Sequence, residues 1–464
     1  MGVIQMIVLS RQNGASLYAQ LYDALRDQII TGERKAGEKL PSKRDMAQNL
    51  NISVNTVDAA YRQLESEGYI QVRPRSGFYV CDIGHLAPHL AVVAAPQTTP
   101  VDTGIVRVDF SPSGIAAEKF PLRRWQQLLR ACAEEPAALK RTPAEGDMGL
   151  RCAIADYLYK ARGVQCRAEN IIIGAGSAGL LACLSHLLPN SCTFAVENPV
   201  YNRAYRHFDR MGHRVVPAQI DHSGVMPEPL EELEEAILYT TPSHQYPLGL
   251  CMPMARRIQL LNWCSRKPMR YIIEDDYDSE FRYDTKPIPS LQSIDRHDRV
   301  IYLGTFSRSV MPGLRISYMV LPESLMELYR REYRDLGTGA STLEQLVLRE
   351  FILQGDFERH LNRMRVYYKG QRGFFLRQLA VMGEVIEPIG EAAGHHLAVR
   401  VHNGMNEQEL CRSALAQGAR VYPISSYFMG EMPPIYEKKI LLGFGGLSRE
   451  EIETGTMLLR QAWL

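Results

Sequence analysis

A stretch rich in alanine, proline, valine and threonine, from Cys81 to about Val106, divides the chain into two unequal parts. This stretch has no sustained helical or strand period, which is typical of an interdomain linker. The 464 residues are enough for one small and one large domain, each with its own core. We therefore predict a small domain at residues 1–80, a linker at 81–106 and a large domain at 107–464.

The small part begins with three helix-like segments. Apolar residues from Leu17 to Thr31 recur close to helical spacing, and Gly32 supplies a stop. Ser42 and Asp45 are spaced as a capping box for a short second helix. Ser53 is a good N-cap for a third helix. Alternation over residues 69–80 then predicts a two-stranded hairpin.

The large part alternates between strand-like and helix-like segments up to its end. Residues 170–173 read as a strand and residues 178–188 as a helix, and two further strand-like runs follow at 271–273 and 301–303. Such alternation is what a mostly parallel sheet wrapped by helices requires. The predicted fold class is therefore α/β, with a separate small helical domain at the N-terminus.

The composition excludes several classes of protein. With 45% hydrophobic residues, 23% charged residues and a formal net charge of +1, any DNA contact must come from a local patch. No run of about eighteen apolar residues indicates a membrane span. The nine cysteines include no Cys-Xaa-Xaa-Cys pair, so we expect buried or free thiols in a reducing compartment and no metal site. We predict a cytoplasmic protein.

Two short helices joined by a tight turn and followed by a basic hairpin are typical of a winged helix-turn-helix, although a generic small helical domain uses the same caps. The segments 40–47, 53–57 and 64–70, which read LPSKRDMA, SVNTV and LESEGYI, resemble the GntR family of bacterial transcription regulators. The resemblance covers essentially all of residues 15–80. It implies a DNA-binding domain whose partner is a double-stranded operator.

We predict DNA contacts from both helices and from the hairpin. An asparagine can read an adenine edge, and serine or threonine can hold phosphates at a helix N-terminus. Basic side chains early in the second helix and on the hairpin would reach the DNA backbone or the minor groove, unless the hairpin is only a solvated wing. The predicted DNA-binding residues are Ser42, Lys43, Arg44, Ser53, Asn55, Thr56, Arg73 and Arg75.

Two features limit this DNA-binding prediction. Val54 stands where members of the GntR family often carry an arginine, so a guanine-reading fork is missing. Residues 1–80 hold ten Lys and Arg against eight Asp and Glu, a net charge of only +2. We therefore expect affinity to come from a dimer on two half-sites rather than from one module.

Residues 304–322 read GTFSRSVMPGLRISYMVLP. This segment resembles the cofactor-lysine segment of fold-type-I pyridoxal-phosphate (PLP) enzymes, in which position 308 is the lysine that forms the Schiff base. Arg308 cannot take that role, because a guanidinium stays protonated and its lone pairs are delocalised. A lysine, by contrast, can be tuned to act as nucleophile and proton shuttle.

Further segments of the large part resemble the same scaffold, among them residues 109–112, 120–125 and 149–158. Together with the first domain they resemble the MocR/GabR subfamily, GntR-type regulators fused to an aminotransferase-like domain, over nearly the whole chain. This resemblance implies a fold-type-I PLP-transferase-like domain with a smaller C-terminal subdomain. It also implies a homodimer that builds its pockets at the subunit interface.

The resemblance implies the roles of the pocket residues. The glycine-rich turn after the strand at 170–173 suits a phosphate, as do the hydroxyls and the arginine of the 304–322 segment. A tyrosine would stack on the pyridine ring, an aspartate would pair with its nitrogen, and a second tyrosine would bond the ring oxygen. The predicted cofactor-binding residues are Gly176, Ser177, Ala178, Tyr201, His244, Asp275, Tyr277, Thr305, Ser307, Arg308 and Arg315.

The identity of the effector stays open. Arg203 matches a position that helps to hold an effector carboxylate in a GABA-responsive relative. A second carboxylate-binding arginine is not evident, because residues 438–444 offer lysines only. Any bound PLP or related compound is expected to be noncovalent.

Three functions remain at this point. The first is a transcription regulator whose large domain senses a small molecule in the former cofactor pocket. The second is a regulator with an empty pocket that serves only dimerisation. The third is a working PLP-dependent aminotransferase, which Arg308 argues against because the Schiff-base amine is missing. We therefore predict a protein that is not an enzyme and has no catalytic residues.

Overall fold

In the computed structural model, the structure describes residue 9 and residues 16–83, 106–283, 288–333, 339–390 and 393–464. The chain forms two compact units, Met1–Val101 and Asp102–Leu464. Most of the predicted linker, residues 84–105, lies outside the described residues.

The first unit contains three helices and a hairpin, as the sequence predicts. The helices are α1 (Leu17–Ile30), α2 (Lys43–Leu50) and α3 (Val54–Ser66), and the antiparallel strands are β1 (Ile70–Arg73) and β2 (Gly77–Val80). Apolar side chains from all three helices and both strands form one core. The winged helix-turn-helix arrangement follows from this order of elements.

The helix caps of the first unit differ from the prediction in one detail. The side chains of Ser42 and Ser53 each accept a hydrogen bond from the backbone of the third helical residue, so both serines are N-caps. The carboxylate of Asp45, however, accepts a hydrogen bond from the Ser42 hydroxyl at 2.7 Å. The Ser42 half of the predicted capping box is thus present, and the Asp45 carboxylate bonds the Ser42 hydroxyl.

Across its described residues, the second unit has fourteen strands. They are β3 (Val108–Asp109), β4 (Ile171–Gly174), β5 (Thr193–Asn198), β6 (Arg214–Asp221), β7 (Gly224–Val225), β8 (Ala236–Thr240), β9 (Arg270–Asp276), β10 (Val300–Thr305), β11 (Ser317–Val320), β12 (Ile386–Ile389), β13 (His396–Val401), β14 (Ala419–Arg420), β15 (Tyr422–Pro423) and β16 (Lys439–Gly443).

Its helices surround these strands. They are α4 (Leu122–Ala133), α5 (Met148–Arg162), α6 (Ser177–Leu187), α7 (Asn202–Arg210), α8 (Met254–Ser265), α9 (Leu291–Ile294), α10 (Glu323–Glu332), α11 (Thr342–Leu353), α12 (Asp356–Ala380), α13 (Glu407–Ala416) and α14 (Arg449–Trp463). None of the helices in the described part of the chain has both the length and the apolar character needed to cross a bilayer.

The main sheet has eight strands in the order β4-β11-β10-β9-β8-β5-β6-β7. Strands β10, β9, β8, β5 and β6 are mutually parallel, whereas β11 runs antiparallel to both of its neighbours. Ile171 and Ile173 of β4 pack into one core, and Ile172 packs into another. Because successive side chains point to opposite faces, this places the sheet between two hydrophobic layers.

A smaller antiparallel sheet, β12-β13-β16-β15, forms the C-terminal part of the second unit. Helices α12, α13 and α14 pack beside it around a third core that includes Trp463 and Phe444. Strand β3 pairs with β14, so the start of the second unit joins this C-terminal part. The predicted α/β fold with a smaller C-terminal subdomain is confirmed.

Candidate functional site

The N-terminus of α3 presents polar side chains at the surface of the first unit. Val57, Tyr61 and Leu64 are buried, while Ser53 and Asn55 are exposed on the other side of the helix. The amide of Asn55 makes no hydrogen bond among the described residues. Its side chain is therefore exposed at the surface, and its contact with a base edge stays a prediction.

The hydroxyl of Ser53 has local partners. Ser53 Oγ accepts from the backbone N–H of Thr56 at 3.1 Å and lies 2.7 Å from Thr56 Oγ1. Both hydroxyls thus help to shape the helix start. A phosphate contact from either one would add to these bonds.

Lys43, at the start of α2, is held by acidic and aromatic neighbours. Its ammonium group donates to the Asp58 carboxylate of α3 and lies 4.9 Å from the centre of the Phe78 ring. Asp58 also pairs with Arg62 at 2.8 Å. The hydrogen bond from Lys43 lowers the pKa of Asp58. The predicted backbone contact of Lys43 would have to compete with Asp58.

The other predicted basic contacts are more open to solvent. Arg44 is exposed on α2, and no partner holds its guanidinium within the described residues. Arg73 and Arg75 are exposed on the hairpin between β1 and β2. The Arg73 guanidinium lies 4.4 Å from the centre of the Tyr79 ring, and Arg75 adopts a φ of +61° at the hairpin tip. These three arginines and the N-terminus of α3 form the candidate DNA-binding surface.

The predicted pocket residues of the second unit lie at one edge of the main sheet. Strands β8, β9 and β10 run parallel, and their carboxyl ends are Thr240, Asp276 and Thr305. In open α/β sheets, ligands bind beside the carboxyl ends of the strands. The loops after these strands carry His244, Tyr277 and the segment 306–316, so the fold places them along that edge.

A phosphate-sized position lies at the N-terminus of α6. Gly176 precedes this helix with a φ of +81°, and a Cβ atom there would lie 2.6 Å from Nη2 of Arg315. No side chain caps the first turn, so the N–H groups of Ser177 and Ala178 have no helical acceptor. The Arg315 guanidinium is without a hydrogen-bond partner in the described ranges. Helix N–H groups facing an arginine suit an anion.

Thr305 organises the turn that leads to Arg308. Its hydroxyl accepts from the backbone N–H of Ser307 at 3.2 Å and from the Ser317 hydroxyl at 2.8 Å. These bonds hold the end of β10 against β11. The Ser307 side chain is half-buried in the turn.

Asp275 carries a carboxyl group that has no basic partner among the described residues. The Tyr239 hydroxyl donates to it, and desolvation by burial raises its pKa to about 7 despite that bond. The neighbouring Asp276 is neutralised differently, because it pairs with the buried Arg162 guanidinium at 2.8 Å. Within the described part of the chain, no basic side chain pairs with Asp275 in this way. A protonated pyridine nitrogen fits such a position.

His244 is oriented by residues around it. Asp278 accepts from His244 Nδ1 at 2.9 Å, and the Tyr277 hydroxyl also lies 2.9 Å from Nδ1. The rings of His244 and Tyr277 are stacked at 5.9 Å. Gly394 passes close by, since a Cβ atom there would lie 2.2 Å from Cε1 of His244. His244 and Tyr277 are therefore fixed beside Asp275.

Tyr201 contributes to an aromatic wall. It precedes α7, is half-buried, and meets the Tyr246 ring edge-on at 5.8 Å. The guanidinium of Arg203 is exposed and lies 6.0 Å from the centre of the Tyr201 ring. The wall continues through Tyr427, whose hydroxyl lies 3.3 Å from that of Tyr246. Its faces suit a flat ring.

Arg308 is half-buried and donates from Nη1 to the backbone oxygen of Pro112 at 3.1 Å. The buried histidines His395 and His396 lie close enough for its charge to act on them. Burial lowers the pKa of both histidines well below the usual value, and Arg308 adds to that effect. Sequence reasoning missed both histidines.

The structure brings together the predicted pocket residues at the strand ends, and adds Tyr239, Asp278, His395 and His396 to them. Arg203 stays exposed at the rim beside Tyr201. Over the residues that the structure describes, no group of three or more His, Cys, Asp or Glu side chains could hold a metal ion. The arrangement offers an anion position, a cation position and aromatic faces.

Two family models match this chain. Residues 17–80 match the model described as bacterial regulatory proteins of the gntR family. Residues 114–438 match the model of aminotransferase class I and II. The two matches fall in the two compact units described above.

Two relatives align with the chain over almost its full length. The uncharacterized HTH-type transcriptional regulator YdeL of Bacillus subtilis is 37% identical, and the alignment covers 98% of each chain. The protein described as "Probable rhizopine catabolism regulatory protein MocR" of Rhizobium meliloti is 32% identical, over 99% of this chain and 96% of that one.

A solved aminotransferase structure is similar to the second unit. LysN, an alpha-aminoadipate aminotransferase from Thermus thermophilus complexed with N-(5'-phosphopyridoxyl)-L-leucine, is 27% identical with a TM-score of 0.67. The alignment covers 77% of this chain and 92% of that chain. The likeness agrees with the parallel sheet and the smaller C-terminal sheet seen here.

Proposed function

Since this chain belongs to the MocR/GabR subfamily of GntR-type transcription regulators, we propose that its aminotransferase-like unit senses a PLP-type compound without Schiff-base chemistry. The GntR-type unit binds operator DNA. Binding of the compound would shift the balance between two arrangements of a homodimer, and so change DNA occupancy.

One observation supports this proposal: residues that could make the noncovalent contacts of a PLP-type ligand lie at the strand ends, while an arginine stands at position 308. Gly176, the N-terminus of α6 and Arg315 would hold the phosphate. Asp275 would pair with the protonated ring nitrogen. Burial raises the pKa of this carboxyl to about 7, so a cation beside it would favour the ionised form. In aminotransferases the cofactor supplies an electron-withdrawing ring for amine transfer.

The remaining contacts would fix the ring in the pocket. Tyr201 offers an aromatic face, and Tyr277 offers a hydroxyl that His244 and Asp278 hold in place. At position 308 a guanidinium can donate hydrogen bonds but cannot act as an amine nucleophile. The pocket would therefore bind and release its ligand reversibly.

The experiment that tests this proposal measures binding and covalent attachment separately. Calorimetry on the full-length protein is expected to detect reversible binding of PLP. After treatment with borohydride, the intact mass is expected to stay unchanged. A mass gain by one pyridoxyl phosphate group would overturn the noncovalent part. Arg308→Lys serves as the positive control, because it restores an amine at this position and should gain that mass.

The second candidate is a dimerisation platform with an empty pocket. Gly176→Trp fills the anion position, and the comparison of PLP effects between the wild type and this variant separates the two candidates. On the sensing hypothesis it abolishes both PLP binding and any effect of PLP on DNA affinity. On the platform hypothesis the wild-type protein already lacks both effects, and the variant keeps the dimer and the DNA affinity. Light scattering reports the oligomeric state, and a gel-shift titration reports DNA affinity.

Steady-state transamination by the wild type would instead favour the enzyme alternative.

A further inference from the structure

Arg308 carries a positive charge that no acidic side chain neutralises within the described residues. Its hydrogen bond in this part of the chain goes to the backbone oxygen of Pro112. By contrast, the buried Arg162 pairs with Asp276 at 2.8 Å. A half-buried guanidinium without a counter-ion loses hydration and regains little from a single carbonyl. The site would therefore gain from an anion.

Three phenols near Arg308 are neutral, and the Asp278 carboxylate of the same cluster is bonded to His244 rather than to Arg308. Burial raises the pKa of the Tyr246, Tyr277 and Tyr427 hydroxyls, and the charge of Arg308 opposes this only partly in each case. All three phenols therefore stay protonated at neutral pH. These hydroxyls lie close enough to feel the charge of Arg308 but supply no negative charge to it.

His395 and His396 add unpartnered polar atoms to the same place. Each residue is only 1% exposed. Both ring nitrogens of His395 and the Nε2 atom of His396 lack a hydrogen-bond partner among the described residues. The His396 ring lies 5.1 Å from that of His244 and 5.2 Å from that of Tyr246. Buried polar atoms are normally hydrogen-bonded, so these nitrogens point to a missing polar group.

The pocket then has three charged positions. Arg315 offers a positive charge beside Gly176, Asp275 offers a negative charge, and Arg308 offers a second positive charge. Both arginines belong to the loop between β10 and β11. A ligand that satisfies all three positions has a phosphate, a protonated ring nitrogen and a further anionic group.

We infer that Arg308 binds a carboxylate of the ligand, so that the pocket selects phosphorylated pyridine compounds which carry an acidic group beside the ring. A guanidinium matches a carboxylate through two parallel hydrogen bonds. The aminomethyl form of the same ring would place an ammonium group near Arg308 and is disfavoured. This inference rests on the proposed function, since it names the ligand class of the same site.

Two sources could supply such a carboxylate. It can sit directly on the ring, as in 4-pyridoxic acid 5'-phosphate, or belong to an amino acid joined to the ring, as in a reduced phosphopyridoxyl–amino acid. The common chemistry is the carboxylate. The test therefore compares both compounds with pyridoxamine 5'-phosphate, which has the ring and the phosphate but no carboxylate.

Calorimetry on the full-length protein measures the three affinities. At least one of the carboxylate ligands is expected to bind about 10- to 100-fold more tightly than pyridoxamine 5'-phosphate, the value of one charge-assisted pair. The tighter-binding carboxylate ligand shows whether the carboxylate sits on the ring or on a joined amino acid. In Arg308→Gln this preference should shrink by a similar factor, while affinity for pyridoxamine 5'-phosphate stays equal or rises. An unchanged preference in Arg308→Gln would overturn the inference.

The controls separate the possible failures. Arg308→Lys keeps the positive charge but loses the paired N–H groups of the guanidinium. It should retain part of the preference for carboxylate ligands over pyridoxamine 5'-phosphate. None of the three ligands has an aldehyde, so the new lysine cannot form a Schiff base with them. It provides the comparison if Arg308→Gln does not fold. If the wild type binds all three ligands equally, only the carboxylate inference fails. If it binds none of them, and PLP does not bind either, the proposed function itself fails.

Discussion

Tyr239, near the end of β8, donates its hydroxyl hydrogen to the carboxylate of Asp275 on β9. The two residues lie on neighbouring parallel strands. This bond favours the ionised form of Asp275, whereas burial favours the protonated form and raises the pKa to about 7. Burial thus favours the protonated carboxyl in the ligand-free pocket, and a cationic ligand group would draw it to the charged state.

Replacing the donor tests this balance. In Tyr239→Phe the pKa of Asp275 should rise further, because the bond that favours the ionised form is lost. Affinity for pyridoxamine 5'-phosphate at pH 7 is then expected to fall by about 3- to 10-fold, as for one neutral hydrogen bond. Calorimetry at several pH values measures this. Tyr205→Phe is a matched control, because Tyr205 is a half-buried tyrosine of α7. It should leave the affinity unchanged.

Asp275 should make the ligand-free protein less stable as the pH rises. Its folded-state pKa of about 7 lies above the usual aspartate value, so the folded state holds a proton there that the unfolded state releases near pH 4. The stability from this group is complete below about pH 4 and is lost as the pH rises through 7.

Asp275→Asn does not titrate and removes this loss. Relative to wild type, the ligand-free variant should gain about 1 to 3 kcal/mol of unfolding free energy near pH 8.5, and the gain should shrink towards pH 5. Calorimetric unfolding at both pH values measures the difference. The same variant should lose ligand binding. An equal gain at both pH values would mean that titration of Asp275 is not the cause.

Much of the fold could be predicted from local patterns. The apolar run Ile171, Ile172 and Ile173 predicts a strand that is buried on both faces, and the caps Ser42 and Ser53 follow from their own side chains. Such features depend on residues that are neighbours in sequence, so periodicity and cap chemistry are enough to predict them.

The rest of the site depends on partners far apart in the chain. Tyr239 lies in a wholly buried strand and reads as a core residue, while its hydroxyl bonds Asp275, thirty-six residues away. His395 and His396 follow Gly394 in a segment without a recognisable motif, and only packing places them beside Arg308. Pairings of this kind come from tertiary structure, for which a single sequence has no local signal.

Gly176 is the residue whose replacement should remove the anion position with the least change elsewhere. In Gly176→Ala the new methyl group would lie 2.6 Å from Nη2 of Arg315, and the φ of +81° is unfavourable for alanine. Affinity for pyridoxamine 5'-phosphate should fall by about 10- to 100-fold, as for loss of a charge-assisted contact. Calorimetry measures the loss.

Gly313→Ala is the matched control for this variant. Gly313 lies in the same loop as Arg315, has no atom within 4 Å of a built Cβ, and lacks a positive φ. Its affinity should stay within twofold of wild type, a difference of about 0.4 kcal/mol. Equal losses in the two variants would indicate a general effect on the loop, and no loss in Gly176→Ala would place the phosphate elsewhere.

The ion pair between Lys43 and Asp58 should restrain DNA binding. Asp58 places a negative charge on α3 and holds the Lys43 ammonium group away from other anions. In Asp58→Asn, Lys43 is free to reach a phosphate, and a repulsive charge is gone. Non-specific DNA affinity should rise several-fold at low salt, and the slope of log K against log salt should steepen by about one. Fluorescence anisotropy across a salt series measures both quantities.

Glu65→Gln is the control, because it removes the same charge from an exposed position of α3 that has no ion-pair partner in the described residues. It should leave the slope unchanged. If both variants gain affinity equally with the same slope, the effect is that of net charge, and Lys43 makes no phosphate contact.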